Sequence, residues 1–270
     1  MRYLLSILLS IFSAQVLAQA VPYAPAAKGI HFEHGSWAEI MQKAKAEQKG
    51  IFIDCYTSWC GPCKWMAANV FTDDTVGLWH NNNYINFKQD MEKGEGPGLS
   101  QQFGIYAYPT MIYFDENAHI LNKQVGGLPV PEFNKKSQEA LNLPALDMML
   151  LSYQKGQKDA RFLVNLLLKL PANHPMKEKV LRSYFGGLKE EQFAEEIPFM
   201  VMNLFETNVL SPNFAYLTKN KALFEGKYGK EKVANLITRV ANASLKLSEQ
   251  QGDKKLKKQA EALLNPEINK

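Results

Sequence analysis

The sequence predicts an α/β protein with a central mixed sheet flanked by helices, followed by an all-helical second domain. Up to about residue 142, apolar and β-branched runs alternate with helical segments, an order typical of a sheet covered by helices on both faces. From about Leu143 onward the strand patterns stop, and apolar residues such as Leu163, Leu166 and Leu167 recur at helical spacing. We therefore predict a first domain over residues 30–142 and a helical domain over 143–270, with five to seven short helices.

The N-terminal residues have the pattern of an export signal. A basic residue precedes an apolar run at 4–12, and small residues offer cleavage sites after Ala18 or Ala20. The run is shorter than the ~20 apolar residues that a membrane-spanning helix needs. We predict a signal peptide over residues 1–18, a linker over 19–29, and a location in the periplasm or outside the cell. An uncleaved membrane anchor is the alternative interpretation.

The first domain is predicted to contain a strand–helix alternation that ends in a hairpin and a helix. In chain order we predict a weak strand at 29–32, a helix from 36 to about 48, a buried strand at 51–56, a helix that begins at 60, a short helix through 79, a strand at 84–89, a helical turn at 99–103, hairpin strands at 111–114 and 120–125, and a helix that begins at 131. Ser36 and Glu39 form a capping-box pattern at the first helix start. Gly50 is expected to end that helix.

A Cys-x-x-Cys motif, Cys60-Gly61-Pro62-Cys63, follows the strand at 51–56 and opens a helix. A helix N-terminus stabilises negative charge through its unpaired N–H groups, and the thiolate is the form of cysteine that attacks disulfides. We therefore predict that Cys60 is exposed and acts as the nucleophile. Cys63, one turn further on, is predicted to resolve the mixed disulfide. The third cysteine, Cys55, is predicted to be an inert core residue.

Several other ligand classes find little support in the sequence. A zinc site at the motif is disfavoured because the chain has three cysteines and five scattered histidines, whereas structural zinc sites use four ligands. We predict no metal and no cofactor. The formal net charge of +4 gives no case for nucleic acid, and the lysines at 254–258 are interpreted as a solvated helix face. Trp65 and Trp79 are interpreted as packing residues rather than substrate contacts.

The strand, motif and helix together resemble the active site of thioredoxins, and the resemblance covers about residues 30–140. In that family a buried aspartate lies six residues before the first cysteine, and Asp54 occupies this position. The other matching positions are spread along the domain: Lys88, Asp90, Pro109-Thr110 and Val125-Gly126. The helical domain is not explained by the resemblance.

The resemblance implies a thioredoxin fold and thiol–disulfide oxidoreductase chemistry. It implies that Asp54 is buried with a raised pKa, because desolvation disfavours its charged form, and that it accepts the Cys63 proton. It also implies a cis Tyr108–Pro109 bond beside a backbone edge that pairs with a substrate peptide. The substrate-binding residues that it implies are Trp59, Gly61, Pro62, Tyr108, Pro109 and Gly126.

We predict a periplasmic thiol–disulfide oxidoreductase that reduces disulfides in other envelope proteins. Its partners would be protein or peptide disulfide substrates and an envelope electron donor. The Gly-Pro pair between the cysteines resembles that of the reducing thioredoxins, which favours reduction. A disulfide oxidase or isomerase is one alternative. Another is a non-enzymatic binding module in which the helical domain binds a partner and the cysteine pair acts as a redox switch.

Overall fold

A computed structural model describes residues 29–265 of the chain. The predicted signal peptide and most of the predicted linker therefore lie outside the described residues. The first ten elements are β1 (Phe32–Glu33), α1 (Trp37–Glu47), β2 (Gly50–Tyr56), α2 (Gly61–Asn69), α3 (Asp74–Asn83), β3 (Tyr84–Asp90), α4 (Gly96–Phe103), β4 (Thr110–Phe114), β5 (Ile120–Val125) and α5 (Val130–Ala140). The chain continues through α6 (Leu146–Gln154), α7 (Ala160–Lys169), α8 (Met176–Gly186), a 3-10 helix (Glu190–Ala194), α9 (Glu196–Phe205), α10 (Pro212–Lys219), α11 (Lys221–Tyr228), α12 (Lys230–Gln251) and α13 (Lys254–Leu264).

The five strands form one mixed sheet in the order β1-β3-β2-β4-β5. Strands β1, β3 and β2 are parallel, whereas β4 runs antiparallel to β2 and β5 antiparallel to β4. The central strand β2 is buried at all positions but the last, as its continuous apolar run predicts. The predicted mixed sheet, followed by a helical region, is confirmed.

Helices cover both faces of the sheet because β2 directs alternate side chains to opposite sides. Ile53 and Cys55 pack in a cluster with residues of α1 and α4. Phe52 packs in a second cluster with Met66 of α2 and with residues of α3 and α5. Asp54, two residues after Phe52, therefore lies on the face that α2 covers.

Helix α1 is capped at its C-terminus by Gln48 and not by the expected glycine. Gln48 adopts a left-handed conformation with φ 51°, and its backbone N–H bonds to the carbonyls of Ala44 and Lys45. The expectation that Gly50 ends α1 is wrong, since Gly50 is the first residue of β2. A glycine is needed there because a Cβ would lie 2.7 Å from the carbonyl oxygen of Phe114 on the neighbouring strand.

The helical region contains eight α-helices and one 3-10 helix within the described residues, more than the five to seven expected. One reason is that α10 and α11 meet at Asn220, with no proline or glycine to indicate the break. The predicted stripe of Leu163, Leu166 and Leu167 is buried in one apolar cluster. In α13, Leu256 is buried while the surrounding lysines face solvent, as predicted.

Helix α3 joins the sheet to the helical region. Its Trp79 packs in the cluster beneath the sheet, whereas the adjacent Leu78 packs in the core of the helical region. At its C-terminal end, Asn82 and Asn83 bond to Asn165 of α7. These amide contacts lie at the N-terminal end of β3, because α3 runs directly into that strand. The cysteine pair follows the C-terminal end of β2, which is parallel to β3. The two features therefore lie at opposite ends of the sheet.

Replacing Asn165 with alanine is expected to destabilise the protein by ~2 kcal/mol, because it leaves buried amide groups without partners. The Asn165 Oδ1 accepts from Asn82 Nδ2 at 3.0 Å and from Asn83 Nδ2 at 2.8 Å, and its Nδ2 donates to Asn83 Oδ1 at 2.8 Å. Urea unfolding of the oxidised protein measures the change. Asn242→Ala, at an exposed position of α12, is the control and should change stability by less than ~0.5 kcal/mol. Equal effects of the two substitutions would contradict the prediction.

Candidate active site

The Cys60–Cys63 pair lies at the N-terminus of α2 and forms a disulfide with a Cα–Cα distance of 5.3 Å. Cys60 is the N-cap residue, and its Sγ accepts a hydrogen bond from the backbone N–H of Cys63 at 3.1 Å. Pro62 is tolerated in the first turn, where its missing N–H has no helical partner to lose. The Cys63 N–H, which donates to Cys60 Sγ, and the positive end of the helix dipole both face this sulfur, which favours a thiolate at that atom.

The two cysteines are less accessible than expected. Cys60 and Cys63 are each 3% exposed, so the expectation of an exposed Cys60 is wrong for the disulfide form. The reason is the capping geometry: the Cys60 side chain turns back over the first turn of α2, where it meets both the Cys63 N–H and the Cys63 sulfur. Gly61 and Pro62, which connect the pair, are exposed.

Asp54 is fully buried on β2, on the face that α2 covers. Burial raises the pKa of this carboxyl to about 6, and the positive charge of Lys88 offsets part of the effect. The Lys88 Nζ lies 3.5 Å from Asp54 Oδ2 on the neighbouring strand β3. Neither carboxyl oxygen receives a well-formed hydrogen bond in the described part of the chain. Asp54 can therefore take up or release a proton close to neutral pH.

Four of the residues expected at the substrate surface contact each other in two pairs, Pro109 with Gly126 and Trp59 with Tyr108. The Tyr108–Pro109 bond is cis, as the resemblance implies. The Pro109 carbonyl accepts a hydrogen bond from the Gly126 N–H at 2.9 Å, and Gly126 has a φ of 87° that few side chains tolerate. The Trp59 and Tyr108 rings meet edge to face, with their centroids 6.0 Å apart.

Two residues at the site were not predicted from the sequence. Glu92 Oε1 accepts a hydrogen bond from Trp59 Nε1 at 3.0 Å, although the two residues are 33 positions apart. Trp65 was interpreted as a packing residue, yet it is 48% exposed. The reason is its place on α2: the next residue, Met66, faces the core and is fully buried, so Trp65 lies on the outer side. Trp79 is fully buried, as expected.

Cys55 is the third cysteine and lies apart from this chemistry. It is fully buried on the opposite face of β2, and burial raises the pKa of its thiol well above the usual range. Its predicted place in the core is confirmed.

Across residues 29–265, no three histidine, cysteine, aspartate or glutamate side chains come together in a way that could hold a metal ion. Over the same residues, no helix has the length and apolar character needed to cross a membrane.

Comparison with known proteins assigns the first domain to a family. A family model described as a thioredoxin-like domain matches residues 37–141. Thioredoxin H4 of Arabidopsis thaliana is 33% identical over 90 residues, which cover 33% of this chain and 71% of the relative. Thioredoxin H5 of the same plant is 32% identical over 100 residues, covering 37% of this chain and 78% of the relative. The chain belongs to the thioredoxin family.

This thioredoxin-family protein also matches part of a larger relative. The thiol:disulfide interchange protein DsbD of Haemophilus ducreyi is 34% identical over 87 residues, which cover 31% of this chain and 15% of DsbD. A Bacteroides thetaiotaomicron protein solved in solution is 38% identical, with a TM-score of 0.41, and the match covers 44% of this chain and 98% of that one. The Cys60–Cys63 pair in this family and spacing makes the protein a thioredoxin-like thiol–disulfide oxidoreductase. The family model ends before α6 and does not reach the helical region.

Proposed function

We propose that the protein is a disulfide reductase of the bacterial envelope that acts on other proteins. The observation that carries the proposal is the position of Cys60 Sγ at the N-terminus of α2, where the Cys63 N–H donates to it, with the buried Asp54 on the face beneath that helix. A thiolate at Cys60 is favoured by the helix, and a proton acceptor for the second thiol lies in the same half of the domain.

The reaction that we propose transfers two electrons from the reduced cysteine pair to a substrate disulfide. The Cys60 thiolate attacks one substrate sulfur, the substrate S–S bond breaks, and the other substrate sulfur leaves and takes up a proton. Cys63 then loses its proton to the Asp54 carboxylate and attacks Cys60 Sγ in the mixed disulfide. The Cys60–substrate S–S bond breaks, the second substrate sulfur leaves as a thiolate and takes up a proton, and the protein is left with the Cys60–Cys63 disulfide.

The surface around the pair would hold the substrate segment. A peptide can add to the backbone edge next to Pro109 as a short extended strand. The Pro109–Gly126 hydrogen bond fixes the local backbone there, and the Trp59–Tyr108 pair offers an apolar contact. Gly61 and Pro62 place no bulky side chain between the two cysteines, which leaves space for a substrate sulfur to approach Cys60 Sγ.

The envelope location and the source of electrons are also part of the proposal. The N-terminal pattern of a basic residue, an apolar run and small-residue cleavage sites supports export. The name of the Haemophilus ducreyi relative, a thiol:disulfide interchange protein, supports exchange with other proteins. A reductase in an oxidising compartment needs a supply of electrons, so we propose that a membrane or envelope donor reduces the Cys60–Cys63 disulfide after each cycle.

The reduction potential and an insulin-reduction assay test this direction. We expect a potential near ~−270 mV, as in reducing thioredoxins, against ~−120 mV for a dedicated oxidant. The protein, supplied with dithiothreitol, should accelerate the precipitation of insulin B chains. A potential close to that of the oxidant together with no insulin reduction would contradict the reductase and favour the oxidase. Faster rearrangement of scrambled disulfides than reduction of insulin would favour the isomerase.

A further inference from the structure

Met66 makes a side-chain contact that joins the cysteine-bearing helix to the segment after β5. It is fully buried and lies one turn after Cys63 on α2. Its Sδ accepts a hydrogen bond from the backbone N–H of Leu128 at 3.2 Å. Leu128 is half-buried and lies between β5 and α5, 62 positions further along the chain. The thioether therefore ties α2 to a segment that is distant in sequence.

The segment 126–129 is held on both sides of Gly127. The Gly126 N–H donates to the Pro109 carbonyl at 2.9 Å, and the Leu128 N–H donates to the Met66 sulfur. A Cβ on Gly127 would lie 3.5 Å from Cγ and 3.6 Å from Sδ of Met66, which is ordinary van der Waals contact. The segment thus packs on the Met66 side chain, while its first residue bonds to the cis-proline loop.

The sulfur gives Met66 a property that an aliphatic side chain lacks. A thioether is a weak hydrogen-bond acceptor, whereas leucine has none. Methionine and leucine are otherwise close in volume, and buried positions tolerate their exchange. Leucine at position 66 would fill most of the same space and leave the Leu128 N–H without its acceptor. Because a half-buried N–H is costly to leave unpaired, the segment would shift toward water or another acceptor.

Such a shift would change the geometry of the substrate surface. In the proposed function, an extended substrate segment adds to the backbone edge next to Pro109, whose carbonyl the Gly126 N–H bonds. Moving segment 126–129 relative to α2 would move that edge relative to the cysteine pair. Resting on the proposed function, we propose that Met66 is a positioning residue whose sulfur, through the Leu128 N–H, holds the substrate-binding backbone at a fixed distance from Cys60 and Cys63.

Single-turnover rates of the reduced protein with two disulfides test this role. One substrate is a short peptide whose single cysteine forms a disulfide with thionitrobenzoate. The other is the symmetric thionitrobenzoate disulfide, which has the same leaving group but no backbone to pair. Met66→Leu should lower the second-order rate constant for the peptide about fivefold and change that for the small disulfide by less than about twofold. A damaged fold or a less reactive Cys60 would slow both reactions, so the ratio of the two rate constants reports on positioning.

A matched substitution and an exchange measurement complete the test. Met202→Leu makes the same change at a buried position of α9, in the core of the helical region, and should alter neither rate constant by more than about twofold. In the natural protein, the Leu128 N–H should exchange with solvent at least about tenfold more slowly than in an unstructured peptide of the same sequence.

Three outcomes would count against these assignments. An unchanged ratio of rate constants in Met66→Leu would overturn the positioning role. Exchange of the Leu128 N–H at the rate of the unstructured peptide would overturn it as well, and this measurement needs no variant. If the natural protein reduced the small disulfide but not the peptide, the proposed function itself would be contradicted.

Discussion

Replacing Cys60 with serine is expected to reduce the rate of disulfide reduction below about one-thousandth of the natural rate, because a serine hydroxyl is not ionised where the thiolate attacks. The α2 N-terminus favours negative charge at this position, and the Cys63 N–H already donates to Cys60 Sγ. The measurement is the second-order rate constant of the pre-reduced protein with a disulfide-bonded substrate. Cys55→Ala is the matched control: this buried thiol faces the other side of the sheet, and its loss should change the rate by less than about twofold.

Replacing Cys63 with serine should have a different outcome from the loss of Cys60. Cys60 can still attack, but no second thiol releases the substrate, so mixed disulfides accumulate. They are detected as covalent complexes on non-reducing gels and by the mass of the trapped peptide. Trapping by Cys60→Ser instead of Cys63→Ser would show that the two roles are reversed.

Replacing Asp54 with asparagine is expected to stabilise the oxidised protein near neutral pH and much less in acid. The folded protein holds the Asp54 proton more tightly than the unfolded chain does, because burial raises its pKa from 3.8 to about 6. Ionising the buried carboxyl therefore lowers stability progressively as the pH rises from about 4 to about 6, and the full cost remains above that range. The stability difference between Asp54→Asn and the natural protein should grow by ~2–3 kcal/mol between about pH 4 and about pH 8.

Urea unfolding at a series of pH values measures this difference. Asp147→Asn, at an exposed position of α6, is the control, and its stability difference should stay within ~0.5 kcal/mol over the same range. In the proposed reaction, Asp54→Asn should also slow the release of mixed disulfides while leaving the first attack by Cys60 nearly unchanged. A stability difference that does not vary with pH would show that Asp54 has an ordinary pKa in the folded protein.

The parts of the site that depend on local sequence could be predicted. The buried strand at 51–56 follows from an apolar, β-branched run, and the helix start at Cys60 agrees with Pro62 in the first turn. The buried position of Asp54 was implied by the resemblance to thioredoxins. Trp65 and Glu92 could not be predicted in the same way. Whether Trp65 faces solvent depends on how α2 rotates to bury Met66, and the Glu92–Trp59 bond depends on a loop far away in the chain.

Helix α3 shows why an element boundary was missed. Three consecutive asparagines at 81–83 are typical of a loop, because their side chains compete with the backbone for hydrogen bonds. In the structure they continue the helix to Asn83. Their amides bond instead to groups brought in by the rest of the chain, including the Gly29 carbonyl, Glu196 and Asn165. Tertiary partners therefore decide the end of α3.

The burial of α3 on all sides has a practical consequence for dividing this protein. From Val76 to Asn83 every residue of the helix is buried, with one side against the sheet and the other against α7 and α9. A shorter chain that stopped at residue 142 would expose Leu78 and the asparagine amides of a helix that has no polar outer face of its own. We therefore expect a chain that stops at residue 142 to be less stable than the full chain, because the buried residues of α3 are covered in part by the helical region.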